Sequence, residues 1–249
     1  MDTAESAAVT TTPASTPPLT LSLVVATWFH SEWARCVESW RQPTVLIPRM
    51  GILDAYQEGY DRCQSDILAY FHDDLLALDP DWLPRVLAEF SDPSVAIVGF
   101  AGAPGYGHPE MYKNPYHHSS LGRVGFASNL VNAEQHGARF TGAKDAVVLD
   151  GLALICRRSF LSQIGGWEWR RAREGKDEID YNYYLYSEAL GFHALRLGYR
   201  IRLLGIAVEH LDHRSTGLNP DLKVDFEGEH RRLFEEFRDV MPAKVKEGD

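Results

Sequence analysis

Residues 72–74 read His-Asp-Asp and directly follow the apolar run Ile67-Leu68-Ala69-Tyr70-Phe71. Two adjacent carboxylates at the end of a buried strand repel each other and lose solvation, so they need compensation. A divalent cation would supply it. Carboxylate oxygens are hard ligands that suit Mg²⁺ or Mn²⁺, and such an ion commonly bridges protein carboxylates to a substrate's phosphates. A strand-end turn, in which one carboxylate caps backbone N–H groups, is the alternative reading. Late in the chain, VEHLDHRSTG (208–217) carries His210 and His213. A His-x-x-His pair could serve zinc, but zinc wants a third protein ligand, and EHLDH is not the helical HExxH of metalloproteases. A plain surface loop is the other reading of either histidine.

Strand and helix patterns must position these groups. LTLSLVVAT (19–27) is apolar almost throughout and β-branched, the pattern of a central parallel strand covered on both faces. Residues 30–42 predict a helix with Ser31 as N-cap, 43–48 a strand, 51–64 a helix and 66–71 a strand. DPDWLPRVLAEF (79–90) opens a helix whose Asp81 cap would put Pro84 at the third helical position, where proline is tolerated. Residues 95–100 form a fourth strand. This alternation implies βαβ units and a mostly parallel sheet, with right-handed crossovers placing the strands' C-terminal ends, and hence ligands, on one edge.

The segment 101–145 is loop-rich, with Tyr112, His117 and His118 in a stretch that could form a lid. Strand character returns at 146–158, followed by a short helix stopped by Gly165-Gly166. A helix over 180–198 ends at Gly198, a strand covers 199–210, and an amphipathic helix covers 226–241.

The chain has 249 residues, which suits one α/β domain, and a formal net charge of −10. That charge does not suit general nucleic-acid binding, which rests on Lys and Arg. RRAREGK (170–176) is a local basic patch, more simply read as a solvated loop. Three cysteines, Cys36, Cys63 and Cys156, are far apart in sequence, which suggests a reduced, cytoplasmic protein without a disulfide framework. No apolar run approaches about 18 residues, so no transmembrane helix is expected. Residues 1–18 lack the features of a signal peptide and read as a disordered leader. The helix at 226–241 could lie against a membrane surface or a partner, though its mixed charges more often mean packing on its own domain.

Taken as a series, AYFHDD, RRSFLSQIGGWEW (157–169), LRLGYRI (195–201) and VEHLDHRSTG resemble the glycosyltransferases of family 2 and their relatives. The likeness runs from about Leu21 to Gly217. It implies the α/β GT-A fold: a mostly parallel central sheet flanked by helices, with a nucleotide-sugar-binding half (19–100), an acceptor and catalytic half (101–217) and a C-terminal helix (218–241), all in one domain over 19–241.

In that family an acidic DxD-like signature ends an apolar strand and binds a metal and the donor's diphosphate. The segment here looks closest to members whose signature reads His-(Gln or Asp)-Asp. The resemblance makes Asp74 the first metal ligand and Asp73 the second candidate, with Asp73 also turned toward the sugar or ribose. It places Asp150 and Gly151 against sugar or acceptor hydroxyls, with a strand-end turn as the other reading. Gly166 and Trp167 would line the sugar or acceptor site, and Ala26, Thr27 and Trp28 the nucleotide pocket. The aspartate that the family often carries after its second strand is missing, and Arg49 there could meet a phosphate instead. A histidine can complete the family's metal site; the HRSTG spacing favours His213, with His210 second. The family's general base is an acid at the start of the helix that ends LGYRI. Its expected position falls near Ala189, so Glu188 is the first candidate and Asp180 the second; a solvated helix face is the other reading of Glu188.

The implied activity is transfer of a sugar from a nucleotide diphosphate sugar to a hydroxyl on a glycan, lipid or small molecule, with inversion and with Mn²⁺ or Mg²⁺ as cofactor. Two alternatives stay open. One is a module that binds sugar or nucleotide without turnover. The other is a sugar nucleotidyltransferase, which would carry a Gly-rich loop after the first strand, where ATWFHSEWAR has no glycine.

Overall fold

A computed structural model describes residues 18–27, 31–48, 50–107, 125–131, 137–171, 185–211, 226–241 and 243–245. In chain order the elements are β1 (Leu21–Thr27), α1 (Trp33–Ser39), β2 (Thr44–Pro48), α2 (Ile52–Arg62), β3 (Ile67–His72), β4 (Leu75–Ala77), α3 (Trp82–Glu89), β5 (Val95–Gly99), β6 (Ala101–Ala103) and β7 (Gly105–Tyr106). There follow β8 (Ala127–Ser128), β9 (Leu130–Val131), β10 (Ala143–Ala146), β11 (Val148–Leu149), β12 (Ala153–Arg157), α4 (Arg158–Gln163) and α5 (Glu168–Arg171). The last are α6 (Tyr186–Arg196), β13 (Arg200–Leu204), β14 (Val208–His210), α7 (Phe226–Glu236) and β15 (Ala243–Lys244).

The main sheet has seven strands in the order β10-β13-β5-β12-β3-β1-β2. β1 pairs in parallel with β2 and β3, and β13 with β5. β12 lies antiparallel between β3 and β5, and β10 is antiparallel to β13. The expected mostly parallel sheet is therefore present, with β12 and β10 reversed. The run 146–158, expected as one strand, is broken: β11 and β12 belong to different sheets and are joined through Asp150-Gly151. The run 199–210 is likewise divided into β13 and β14, and short strands occupy part of the segment expected to be loop.

Alternation along β3 shows why the central strands are apolar on both faces. Leu68 and Tyr70 enter one core with Tyr56, Trp167 and Leu190, while Ile67, Ala69 and Phe71 enter the other with Trp40, Trp82 and Phe100. Helix starts differ slightly from expectation. α1 begins at Trp33 with Glu32 rather than Ser31 at the cap, whereas Asp81 does precede α3 and Pro84 is its third residue. Of the helix expected over 180–198, residues 180–184 lie outside the described set, and Gly198 (φ 78°) ends the remainder. α7 packs inward, with Leu233 and the following Phe237 fully buried beside Phe192.

The edge where β13 begins is fastened by charge. Asp145 accepts from Arg202, its cross-strand neighbour, and from Arg200, both at 3.0 Å. Arg202 also bonds Glu89 at 2.7 Å. Burial works against the Asp145 carboxylate, but the hydrogen bonds from Arg200 and Arg202 outweigh it and hold its pKa below the ordinary 3.8. A depressed carboxylate pKa contributes stability above the unfolded value and loses it as pH falls through the folded value. Asp145→Asn is therefore expected to cost about 1.5–3 kcal/mol at pH 7, the range for hydrogen bonds to charged groups. The gap from wild type should close as pH drops below about 3.8. Urea unfolding at pH 7 and in acid checks this; a gap that widens in acid would contradict it.

Candidate metal and donor site

The site forms where β3 leaves the sheet. His72 is the last residue of β3, Asp73 and Asp74 make a tight turn, and β4 starts at Leu75. The strand-end turn is therefore present, and it carries both carboxylates. β14 then pairs antiparallel with β4, placing His210 opposite Leu75, and Leu211 N–H donates to the Asp74 carbonyl at 3.0 Å. This pairing brings the late histidine to the early aspartate.

Ligand atoms of His72, Asp74 and His210 lie within 4.8 Å of one another, the group of this kind found among the described residues. His210 Nε2 is 3.1 Å from Asp74 Oδ1. Two neighbouring ligands each about 2.0–2.2 Å from a shared ion stand about 3 Å apart, so these atoms fit one cation. Two imidazole nitrogens and one carboxylate oxygen are a softer set than carboxylates alone. Such a set suits Mn²⁺ or another first-row transition ion better than Mg²⁺. Burial pushes the pKa of His72 down, with Asp74 opposing and His210 reinforcing the shift, so the ring is neutral at pH 7, as a ligand requires. Asp73 is not in this group.

The sequence reading of the HDD segment left His72 without a role. Its place as the last residue of β3, directly before the turn that carries Asp74, is the signal that could have found it.

Other candidates converge on the same edge. Ala26, near the end of β1, is the register partner of His72, and Thr27 is buried beside it. β12 runs opposite to β3, so the turn before it reaches the same edge. His72 N–H donates to the Leu152 carbonyl at 3.1 Å, and Asp150 is among the charges that act on His72. Asp150 Oδ1 accepts from Leu152 N–H at 3.2 Å, which fixes the turn. α6 brings in its first turn. The Tyr186 hydroxyl reaches both His72 and Gly151, and Glu188 follows two residues later. Glu188 is only 2% exposed, and Ser187 Oγ donates to its Oε2 at 2.9 Å.

Gly166 and Trp167 are built into the adjoining core. The φ of +68° at Gly166 and the Gln57 side chain packed where a Cβ would stand both require glycine. Trp167 N–H donates to Gln57 Oε1 at 2.7 Å, and its fully buried indole packs on Tyr56 and Tyr70. Trp28, Arg49, Asp180 and His213 lie outside the described residues, as do Tyr112, His117 and His118.

Beneath the turn, Trp40 Nε1–H donates to the Leu75 carbonyl at 2.9 Å, and Ser39 Oγ accepts from Ala77 N–H at 2.9 Å. α1 thus holds β4 in place. Cys36 on the same helix is buried; burial first, then Asp74, pushes its thiol up to about 11, so it stays protonated.

No protein-family model matches the chain, and no curated protein matches it. Solved structures do. GalNAc-T7, determined with UDP, GalNAc and Mn²⁺, superposes with a TM-score of 0.51 at 10% identity, covering 89% of this chain and 50% of that one. Weaker likenesses are to the mannosyltransferase PcManGT of Pyrobaculum calidifontis, determined with GDP-Man and Mn²⁺ (TM-score 0.49, 12% identity, 80% of this chain and 59% of that one), and to A197 from STIV (TM-score 0.42, 15% identity, 76% and 84%). The chain thus spans 59% of the mannosyltransferase and half of GalNAc-T7. The fold is the α/β GT-A fold. Within the described residues, no helix is long and apolar enough to cross a membrane.

Proposed function

We propose that the chain is a Mn²⁺-dependent, inverting glycosyltransferase that moves a sugar from a nucleotide diphosphate donor to a hydroxyl acceptor. The observation that carries this reading is the meeting of His72, Asp74 and His210 at the strand-end edge of a GT-A sheet, beside the end of β1. Ligands bind at that edge in such sheets. The UDP, GalNAc and Mn²⁺ with which GalNAc-T7 was determined support the ligand class proposed here.

His72, Asp74 and His210 would hold the cation, which when bound supplies positive charge against the donor's diphosphate. Ala26 and Thr27 would flank the nucleotide, and Trp28 and Arg49 are the further candidates for contacts to it. Asp73 would face the sugar or ribose. Asp150 would orient the sugar or acceptor hydroxyls from the turn fixed at Gly151, and Gly166 and Trp167 would support the far side. The acceptor oxygen attacks the anomeric carbon from the face opposite the diphosphate. The bond from that carbon to the diphosphate oxygen breaks, and the acceptor's proton passes to Glu188 as general base. Asp180 is the second candidate for that role. His213 would be an additional or alternative ligand.

A thermal-shift screen of nucleotide sugars with and without Mn²⁺ tests the donor, because specific binding stabilises the fold by mass action. Turnover of the stabilising donor with an acceptor panel then tests transfer. Glu188→Gln should reduce turnover by about 10²–10⁴-fold, the usual contribution of a general base, while leaving the donor-induced shift intact. Unchanged turnover would remove Glu188 from the mechanism. The burial of Glu188 and its bond to Ser187 favour a second reading, a module that binds the donor without turnover. Donor-dependent stabilisation with no transfer to any acceptor would select it.

A further inference from the structure

The Tyr186 hydroxyl stands between two groups of the site. It lies 3.4 Å from the Gly151 carbonyl oxygen and 3.5 Å from His72 Nε2. A carbonyl only accepts, and a phenol has one proton to give. If that proton goes to Gly151, the hydroxyl can only accept from His72, so Nε2 carries hydrogen.

We propose that Tyr186 is a positioning residue that holds His72 in the Nε2–H tautomer, so that Nδ1 presents the lone pair to the cation. The inference rests on the reading of His72, Asp74 and His210 as a cation site. Metal-bound histidines commonly donate their second ring N–H to a fixed acceptor, which sets the tautomer and the ring orientation.

Two further observations support a fixed hydroxyl. The Tyr186 ring is buried edge-on to Tyr56 and Trp167, with centroids at 6.2 and 6.3 Å, so the hydroxyl has little freedom. A Cβ at residue 151 would lie 2.2 Å from the hydroxyl oxygen and 2.7 Å from Cζ, so glycine is needed there for the tyrosine to approach. The Asp-Gly turn and the start of α6 are thereby matched parts of one support for His72.

The test uses the purified full chain. Mn²⁺ is titrated into wild type, Tyr186→Phe, Gly151→Ala and Asp74→Asn, and Nδ1 and Nε2 of His72 are followed by ¹⁵N NMR during Zn²⁺ titration. The expected result is measurable Mn²⁺ affinity in wild type, loss of it in Asp74→Asn, and a weakening of about 10–100-fold in Tyr186→Phe. The metal-free melting temperature of Tyr186→Phe should stay near that of wild type, since phenylalanine keeps the ring packing. Gly151→Ala should weaken binding in the same direction. In wild type the Zn²⁺-induced shift should fall on Nδ1. Wild-type affinity in Tyr186→Phe, coordination through Nε2, or a weakening matched by a lower metal-free melting temperature would overturn the inference while leaving the cation site standing. Failure of wild type to bind either ion would overturn the cation reading and this inference with it.

Discussion

Asp74→Asn is expected to abolish Mn²⁺-dependent stabilisation. The substitution keeps the shape of the side chain but replaces the anionic oxygen that lies 3.1 Å from His210 Nε2. Of the three proposed ligands only the two imidazoles then remain. Mutating even an outer-shell partner costs about 10–100-fold in metal affinity, so loss of the anionic ligand should cost at least that. At a Mn²⁺ concentration 100 times the wild-type Kd, linkage stabilises the fold by about 2.7 kcal/mol. For a chain of this size that is a rise of roughly 5–10 °C in Tm. The variant should show little of this rise, and its metal-dependent turnover should disappear. Asp73→Asn, one residue away but outside the ligand group, should keep most of the rise. Equal Mn²⁺ responses in wild type and Asp74→Asn would remove Asp74 from the site.

Trp40→Ala is expected to be the most destabilising single change near the site. The indole is 1% exposed and packs on Phe71, Trp82 and Phe100 with centroids at 4.4, 5.0 and 6.0 Å. Truncating such a residue costs about 3–5 kcal/mol through lost transfer energy and the cavity left behind. That is a large share of the roughly 5–15 kcal/mol that holds a domain folded. The same change deletes the donor to the Leu75 carbonyl, so the start of β4 loses its anchor directly after Asp74. Trp40→Phe separates the two effects. It keeps most of the packing, should cost about 1–2 kcal/mol, mainly for the lost hydrogen bond, and should still weaken Mn²⁺ binding. Urea midpoints of both variants measure the first effect and Mn²⁺ titration of Trp40→Phe the second. A loss below about 1 kcal/mol in Trp40→Ala would show that the aromatic cluster is not the brace described.

Much of the scaffold was legible from local pattern. The apolar runs at 19–27 and 67–71, the helical periodicity between them, Asp81 before Pro84 and the stop at Gly198 each depend on residues within a turn or two of one another. Those are the distances over which propensity and periodicity act. The break at Asp150-Gly151 was harder to read, because β11 and β12 are both apolar and only their different sheet partners separate them. The insertion of reversed β12 between β3 and β5 was likewise invisible, since an apolar strand reads the same in either direction.

The chemistry divides along the same line. The sequence by itself determined that His72, Asp73 and Asp74 stand at a strand's end, with Asp74 the favoured ligand and His72 without a role. Tertiary structure alone decided that His210 joins them, because β14 pairs with β4 across more than a hundred residues of chain. It also decided that the Tyr186 hydroxyl comes within reach of both His72 and Gly151. Local sequence fixes which way a side chain points along its own strand. Which distant strand comes to lie beside it depends on hydrogen-bond pairing and burial summed over the whole sheet, and no short stretch of sequence records that.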